Sequence, residues 1–219
     1  MKTADEHKTV VIVDYKMGNL FNVKHACAHV GANVVISSEK SEIINARALI
    51  LPGVGAFGNA MENLYKLDLV GPIKDHVGQG KPLVGICLGM QLLFDRSYEF
   101  GEHQGLGIIK GCVSRLPSEI DGRKLHGSQI GWNPICRRKG KFWENTPFAP
   151  LSSQEYMYFV HSYYAKPEQE DVILSVTPYE GVMYCSSILS GNIFAMQFHP
   201  ERSGLKGLEI YQKIKGDFI

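Results

Sequence analysis

Short apolar runs separated by amphipathic stretches organise the first half of the chain. Residues 10–14, 33–37 and 48–51 are apolar without alternation, the pattern of strands buried on both faces. Between and after them, residues 19–30, 41–46, 58–67 and 72–77 read as helices. Strand and helix taking turns in this way predict a mainly parallel sheet covered by helices. From Gly107 the character changes. Residues 108–116, 130–136, 157–164, 171–177 and 182–189 are shorter, turn-bounded runs, which predict added antiparallel or mixed strands. Residues 204–215 form an amphipathic closing helix, and 122–128 and 137–153 read as irregular loops. No repeat, low-complexity tract or linker interrupts the 219 residues, so one domain over 1–219 is expected.

One apolar run leads to chemistry. Lys81-Pro82-Leu83-Val84 enters Gly85-Ile86-Cys87-Leu88-Gly89, which reads as a buried strand, a sharp turn with Cys87 at its apex, and a helix over 88–95. A strained strand–turn–helix elbow needs small residues beside the nucleophile and exposes it at the carboxyl end of a sheet. A helix N-terminus there favours thiolate over thiol. The other reading of this pattern is a buried structural cysteine.

A base is available near the other end. The strand at 192–198 delivers His199, followed by Pro200 and Glu201. In an extended segment positions i and i+2 point to the same side, and Pro200 biases His199 toward that conformation. Glu201 can then hold one imidazole nitrogen while the other faces a thiol, the logic of a Cys-His-Glu triad. A third part follows the strand at 48–51. Gly53, Gly55 and Gly58 match G-x-G-x-x-G in form, but the dinucleotide fingerprint belongs after the first strand of its unit, with an acid at the end of the next. Here the first strand is 10–14 and the next strand ends at Cys87. The alternatives are a tight turn without catalytic duty and an oxyanion turn in which the N–H groups of Gly53 and Val54 join that of Leu88.

Composition removes several other functions. Hydrophobic residues make up 44% of the chain, enough for a substantial core, and the net charge is +1 with both signs interspersed. That gives no electrostatic case for nucleic acid or a membrane surface. The five cysteines are scattered, without a C-x-x-C pair, which argues for a reducing compartment and against a disulfide framework or zinc cluster. The first eight residues lack the apolar core of a signal peptide, and no run approaches the ~20 residues of a membrane span. A cytoplasmic chain is expected. His25 and His29, four apart on a helix, could share a face as metal ligands, but no third ligand is nearby in sequence.

Taken together, Leu51-Pro52-Gly53-Val54-Gly55-Ala56-Phe57, Gly85-Ile86-Cys87-Leu88-Gly89-Met90-Gln91, Gly131-Trp132-Asn133, Tyr158-Phe159-Val160-His161-Ser162-Tyr163 and Gln197-Phe198-His199-Pro200-Glu201 resemble the class I (triad) glutamine amidotransferases over nearly the whole chain. The resemblance is nearest to the glutaminase subunits of imidazole glycerol phosphate synthases. It implies a three-layer α/β sandwich and hydrolysis of L-glutamine without cofactor or metal. Catalytic Cys87, His199 and Glu201 would be served by an oxyanion hole of Gly53, Val54 and Leu88. Gln91, Glu99, His161, Ser162 and Tyr163 would line the glutamine pocket. The implied partner is a (β/α)₈-barrel synthase subunit, forming a heterodimer through Asn19, Asn22 and Arg202 and receiving the ammonia inside the complex. Glutaminase activity that depends on this partner would make the oxyanion turn switchable.

Three departures from the family pattern stand out. Lys16 replaces a usual glycine, Ser128-Gln129 a usual Pro-His, and Arg202 a usual lysine. They leave open a paralogous subunit feeding another synthase, such as sugar amidination in surface-polysaccharide synthesis. A cysteine peptidase of related fold is a further alternative.

Overall fold

A computed structural model describes residues 9–219, apart from the side chain of Asp217. In chain order the first elements are β1 (Val10–Val13), α1 (Leu20–His29), β2 (Val34–Ser37), α2 (Lys40–Asn45), β3 (Ala48–Gly53), α3 (Phe57–Lys66), α4 (Val70–Gly78), β4 (Leu83–Cys87) and α5 (Leu88–Leu92). The chain continues through β5 (Phe94–Ser97), β6 (His103–Gln104), β7 (Ile109–Arg115), β8 (Glu119–Ile120), β9 (Arg123–Lys124), β10 (Gln129–Arg137) and β11 (Gln154–His161). It ends with β12 (Tyr163–Pro167), β13 (Ile173–Tyr179), β14 (Val182–Ser190), β15 (Ile193–Met196) and α6 (Gly204–Lys213), followed by a π turn, Ile214–Phe218.

The main sheet has nine strands in the order β11-β10-β13-β14-β15-β4-β3-β1-β2. From β15 to β2 all neighbours are parallel, and β14, β13, β10 and β11 extend the sheet antiparallel. A second sheet, β12-β7-β5-β6, lies apart from it. Alternation builds two cores from single strands, because successive side chains leave on opposite faces. Val11, Val13, Leu49 and Leu51 pack with Ile43, Leu64 and Ile73 of α2–α4 and with Val113 and Ala165 of the small sheet. Val10, Ile12, Ala48 and Ile50 pack with Val23 and Cys27 of α1 and Ile210 and Tyr211 of α6. The three-layer sandwich expected from the resemblance is what these faces make.

Several boundaries differ from the sequence reading. The helix after Cys87 stops at Leu92 rather than Asp95, because the chain turns to pair β5 with β7. Leu92, Leu93 and Phe94 are all fully buried, so no period marks the change. The run at 157–164 is two strands in two sheets. β11 pairs with β10, β12 pairs with β7, and Ser162 is the corner. β3 runs through Gly53, so its turn opens at Val54. The 171–177 run begins with a 3₁₀ turn, Glu170–Val172. Within 122–128 lies β9, paired with β8. The 137–153 loop is irregular but packed, with Trp143 and Phe148 buried and the Trp143 indole N–H donating to Leu174 O at 3.1 Å.

Candidate active site

Ligands of open α/β sheets bind beyond the carboxyl ends of the strands, and here three such ends meet. In register, Gly53 of β3 lies beside Cys87 of β4. On the other side Met196 of β15 pairs with Ile86, so the residue after each strand's last pair, Gln197, comes level with Cys87. Cys87 has φ 54° and ψ −111°, a left-handed φ that is strained for any residue but glycine. Its neighbours tolerate nothing larger than hydrogen. A Cβ on Gly89 would stand 1.7 Å from Leu51 O, and one on Gly85 2.9 Å from Ala195 Cβ. Leu88 opens α5 directly after Cys87, so its N–H is among the first-turn donors that lack an intrahelical acceptor.

β15 ends at Met196, and a 3₁₀ turn, Pro200–Arg202, follows His199. Its seat is tight, since a Cβ on Gly207 of α6 would fall 1.9 Å from Pro200 O. His199 Nδ1 and Glu201 Oε1 are 2.7 Å apart, and the two side chains are 5% and 3% exposed. Burial works against charge on His199, yet the Cys87 sulfur and then Glu201 outweigh it and lift the imidazole to about 10. The Cys87 sulfur therefore acts on the imidazole, while Nε2 itself is buried and has no hydrogen-bond partner. Catalytic contacts of this kind often tighten only around substrate.

In front of Cys87 lies a cavity of about 320 Å³, lined by Val54, Gly55, Leu88, Gln91, Glu99, Val160, His161, Ser162, Tyr163 and Arg202. A larger one, about 400 Å³, lies at Thr9, Glu39, Ser41 and Glu42, and neither cysteine nor histidine lines it. Glu99 accepts the Phe57 N–H at 2.5 Å; burial raises its carboxyl, opposed by that bond and by His103. His161 is held neutral, lowered to about 4 by burial against the pull of the Tyr163 carbonyl. Its Nδ1 lies 2.9 Å from Tyr163 O, and its Nε2 3.1 Å from the Tyr184 hydroxyl. Beside Gly53 the fit is close on two sides. The Tyr15 hydroxyl donates to Pro52 O at 2.7 Å, and a Cβ on Gly18 would be 3.1 Å from Gly53 Cα.

Residues 11–213 match the family "Glutamine amidotransferase class-I". The chain is 48% identical over 206 residues to "Imidazole glycerol phosphate synthase subunit HisH" of Aquifex aeolicus, covering 94% of this chain and 95% of that one. It is 46% identical to the protein of the same name from Caldanaerobacter subterraneus subsp. tengcongensis, covering 95% and 97%. The chain belongs to the class-I glutamine amidotransferase family. Among solved structures it resembles PurLQS from Thermotoga maritima, with a TM-score of 0.70, 19% identity and coverage of 94% and 97%. At that identity the likeness speaks for the fold.

Within this glutamine amidotransferase, every pocket and triad position expected from the sequence except Gly53 lines the one cavity or adjoins Cys87 through His199; Gly53 adjoins Cys87 in register. Asn19 and Asn22 lie elsewhere, exposed at the start of α1, where the Asn19 side chain accepts the Asn22 N–H at 3.2 Å as an N-cap. The departures from the family pattern find local reasons. Lys16 stands at φ 66°, the conformation a glycine would take freely, and Asp14 accepts both its backbone N–H and its ammonium at 2.9 Å. Gln129 is buried beside His161 and accepts from the Tyr184 hydroxyl. The Arg202 guanidinium lies 4.2 Å from the centre of the Tyr158 ring. His25 packs on the Phe21 ring, and among the described residues no cluster of His, Cys, Asp and Glu side chains suits a metal ion. Sequence reasoning missed Tyr15 and Gln197. The second stood inside the motif, one residue ahead of Phe198 and two ahead of His199.

Proposed function

We propose that the whole chain is one glutaminase domain, the glutamine-hydrolysing subunit of an imidazole glycerol phosphate synthase in the histidine pathway. The single observation that carries the reading is Cys87, strained at an elbow and lining the cavity, with its sulfur acting on the imidazole of a buried His199–Glu201 pair. Cys87 thiolate attacks the side-chain amide carbon of L-glutamine. The oxyanion points toward the N–H of Leu88 and the Gly53-Val54 segment, where loss of one donor typically costs ~10²–10³ in rate. His199, oriented by Glu201, delivers a proton to the departing nitrogen as the C–N bond breaks. Ammonia leaves, and water hydrolyses the γ-glutamyl thioester to glutamate. Gln91, Glu99, His161, Ser162 and Tyr163 hold the substrate, with Glu99 at the α-ammonium end.

Ammonia set free in water protonates and stops being a nucleophile, so a partner must receive it directly. The partner is a (β/α)₈-barrel synthase subunit, and the complex works in the cytoplasm. Support comes from the relatives' names and from the surface, where Phe21, Ile130, Trp132 and Leu205 are 67%, 70%, 53% and 79% exposed. Trp132 approaches Gly204, two residues from Arg202, and Phe21 stands between Asn19 and Asn22. No described helix is long and apolar enough to cross a membrane.

The test is ammonia and glutamate release from L-glutamine, by the chain alone and with the synthase subunit and its ligand. Release should be weak alone, rise on assembly, and vanish in Cys87→Ala. Turnover that survives Cys87→Ala ends the mechanism, and full turnover without the partner ends the switchable oxyanion turn.

A further inference from the structure

Gln197 is fully buried, yet its side chain is not spent on the core. Its Nε2 lies 3.6 Å from the Cys87 sulfur, and its Oε1 accepts from Gln91 Nε2 at 2.9 Å. Gln91 Nε2 also donates to the Tyr163 backbone carbonyl at 2.8 Å. The carbonyl fixes the direction of the whole chain of bonds, because a backbone oxygen can only accept. Gln91 must turn its amide nitrogen toward Tyr163. That nitrogen's second hydrogen then faces Gln197, which must answer with its oxygen and present its own N–H to sulfur. Turned the other way, Gln197 would set donor against donor at Gln91 and an oxygen against Cys87.

The geometry assigns Gln197 a part in the reaction: its amide N–H steadies the Cys87 thiolate and holds the sulfur toward the pocket, with Gln91 as the lock on its orientation. A hydrogen bond to the charged form of a group favours that form. The sulfur has a partner for its other state as well, since Val160 O, 4.0 Å away, is placed to accept from the neutral thiol. Register makes the contact rigid, because β4 and β15 are neighbours and Gln197 follows their last paired residue. The Gln197 backbone N–H is itself tied to Ser186 O at 2.9 Å. Gln91 is thereby left only its carbonyl oxygen to offer a substrate, so its role in the pocket is that of an acceptor and a lock.

This inference rests on Cys87 being the nucleophile of the proposed glutaminase, and its test separates the two. Alkylation of Cys87 by iodoacetamide is followed from neutral to alkaline pH, by mass spectrometry of the peptide carrying that residue, in the full chain and in Gln197→Met. The variant keeps the volume and loses the donor. Its alkylation at pH 7 should slow about tenfold, with the deficit closing at high pH, and kcat for glutamine should fall at least tenfold with KM changed less than threefold. Gln91→Leu, which frees Gln197 to turn, should show the same alkylation defect at neutral pH in weaker form. If Gln197→Met does not fold, Gln197→Asn, which withdraws the amide by one methylene, is read the same way. Superimposable alkylation profiles overturn the assignment whatever happens to turnover. A Cys87→Ala protein that still releases ammonia instead overturns the glutaminase mechanism itself.

Discussion

Replacing Gly89 with alanine tests the elbow most directly. The added Cβ would stand 1.7 Å from Leu51 O and 2.7 Å from Leu51 C, where ordinary contact begins at 3.4 Å. The obstacle is backbone of a central strand, so no side chain can swing away. α5 must back off β3 by about 1.7 Å, carrying Leu88 and the Cys87 apex with it. Overpacking of this kind costs typically ~1–3 kcal/mol, and a backbone collision belongs at the top of that range. For a chain this size ~3 kcal/mol lowers the melting temperature by roughly 6–12 °C. A misplacement near 1 Å at a reacting centre costs about 10²-fold, so kcat should fall at least that far. Two companions calibrate the result. Gly85→Ala meets Ala195 Cβ at 2.9 Å and Met90 backbone at 3.1 Å, and should be intermediate. Gly78→Ala, at the end of α4, meets nothing within 4 Å and should be neutral or stabilising by up to ~1 kcal/mol. Melting curves and glutaminase assays on the three proteins decide it. A Gly89→Ala chain that melts with wild type and keeps kcat within threefold refutes the reasoning.

His161, lowered to about 4 by burial, binds no proton in the fold at pH values where the unfolded chain does. Its contribution to stability is complete above the unfolded value near 6.5, is lost as pH falls toward 4, and is worth ~3 kcal/mol in all. Urea titrations of His161→Gln should show a flatter acid limb than wild type, with His76, also lowered by burial, supplying part of what remains; equal limbs would reject this. Tyr15→Phe removes the buried bond to Pro52 O and should cost about 1–2 kcal/mol by urea unfolding, whereas an unchanged midpoint would show the bond to be idle. Trp132→Ala or Phe21→Ser should weaken association with the synthase subunit tenfold or more by calorimetry, and unaltered affinity would place the docking face elsewhere.

The parallel half of the fold was legible because its inner strands β1, β3, β4 and β15 are buried on both faces and read as unbroken apolar runs, while the edge strand β2, with Val35 exposed, keeps the apolar run without the burial. The elbow was legible too, since Gly85 and Gly89 stand where a Cβ would strike neighbours. The second half was harder. Its one pause where the chain changes sheet is the polar pair His161-Ser162, and such a pair does not by itself say that Ser162 is a corner. Leu92-Leu93-Phe94 hides the change from helix to strand. For the site, the residue types named the triad, and strand order supplied the convergence that spacing alone could not. Gln197 escaped notice because a glutamine before an apolar–His–Pro–Glu sequence shows no chemistry until β15 is seen beside β4.

The near-touch of Gly18 and Gly53 carries a mechanical consequence. Main chain meets main chain there, so that a methyl group on Gly18 would stand 3.1 Å from Gly53 Cα, and a peptide has no rotamers with which to yield. A displacement of the outward loop carrying Asn19 toward Gly53 would therefore bear on the end of β3. A subunit docking from outside would need to shift that loop by only a fraction of an ångström to turn the peptide next to the nucleophile.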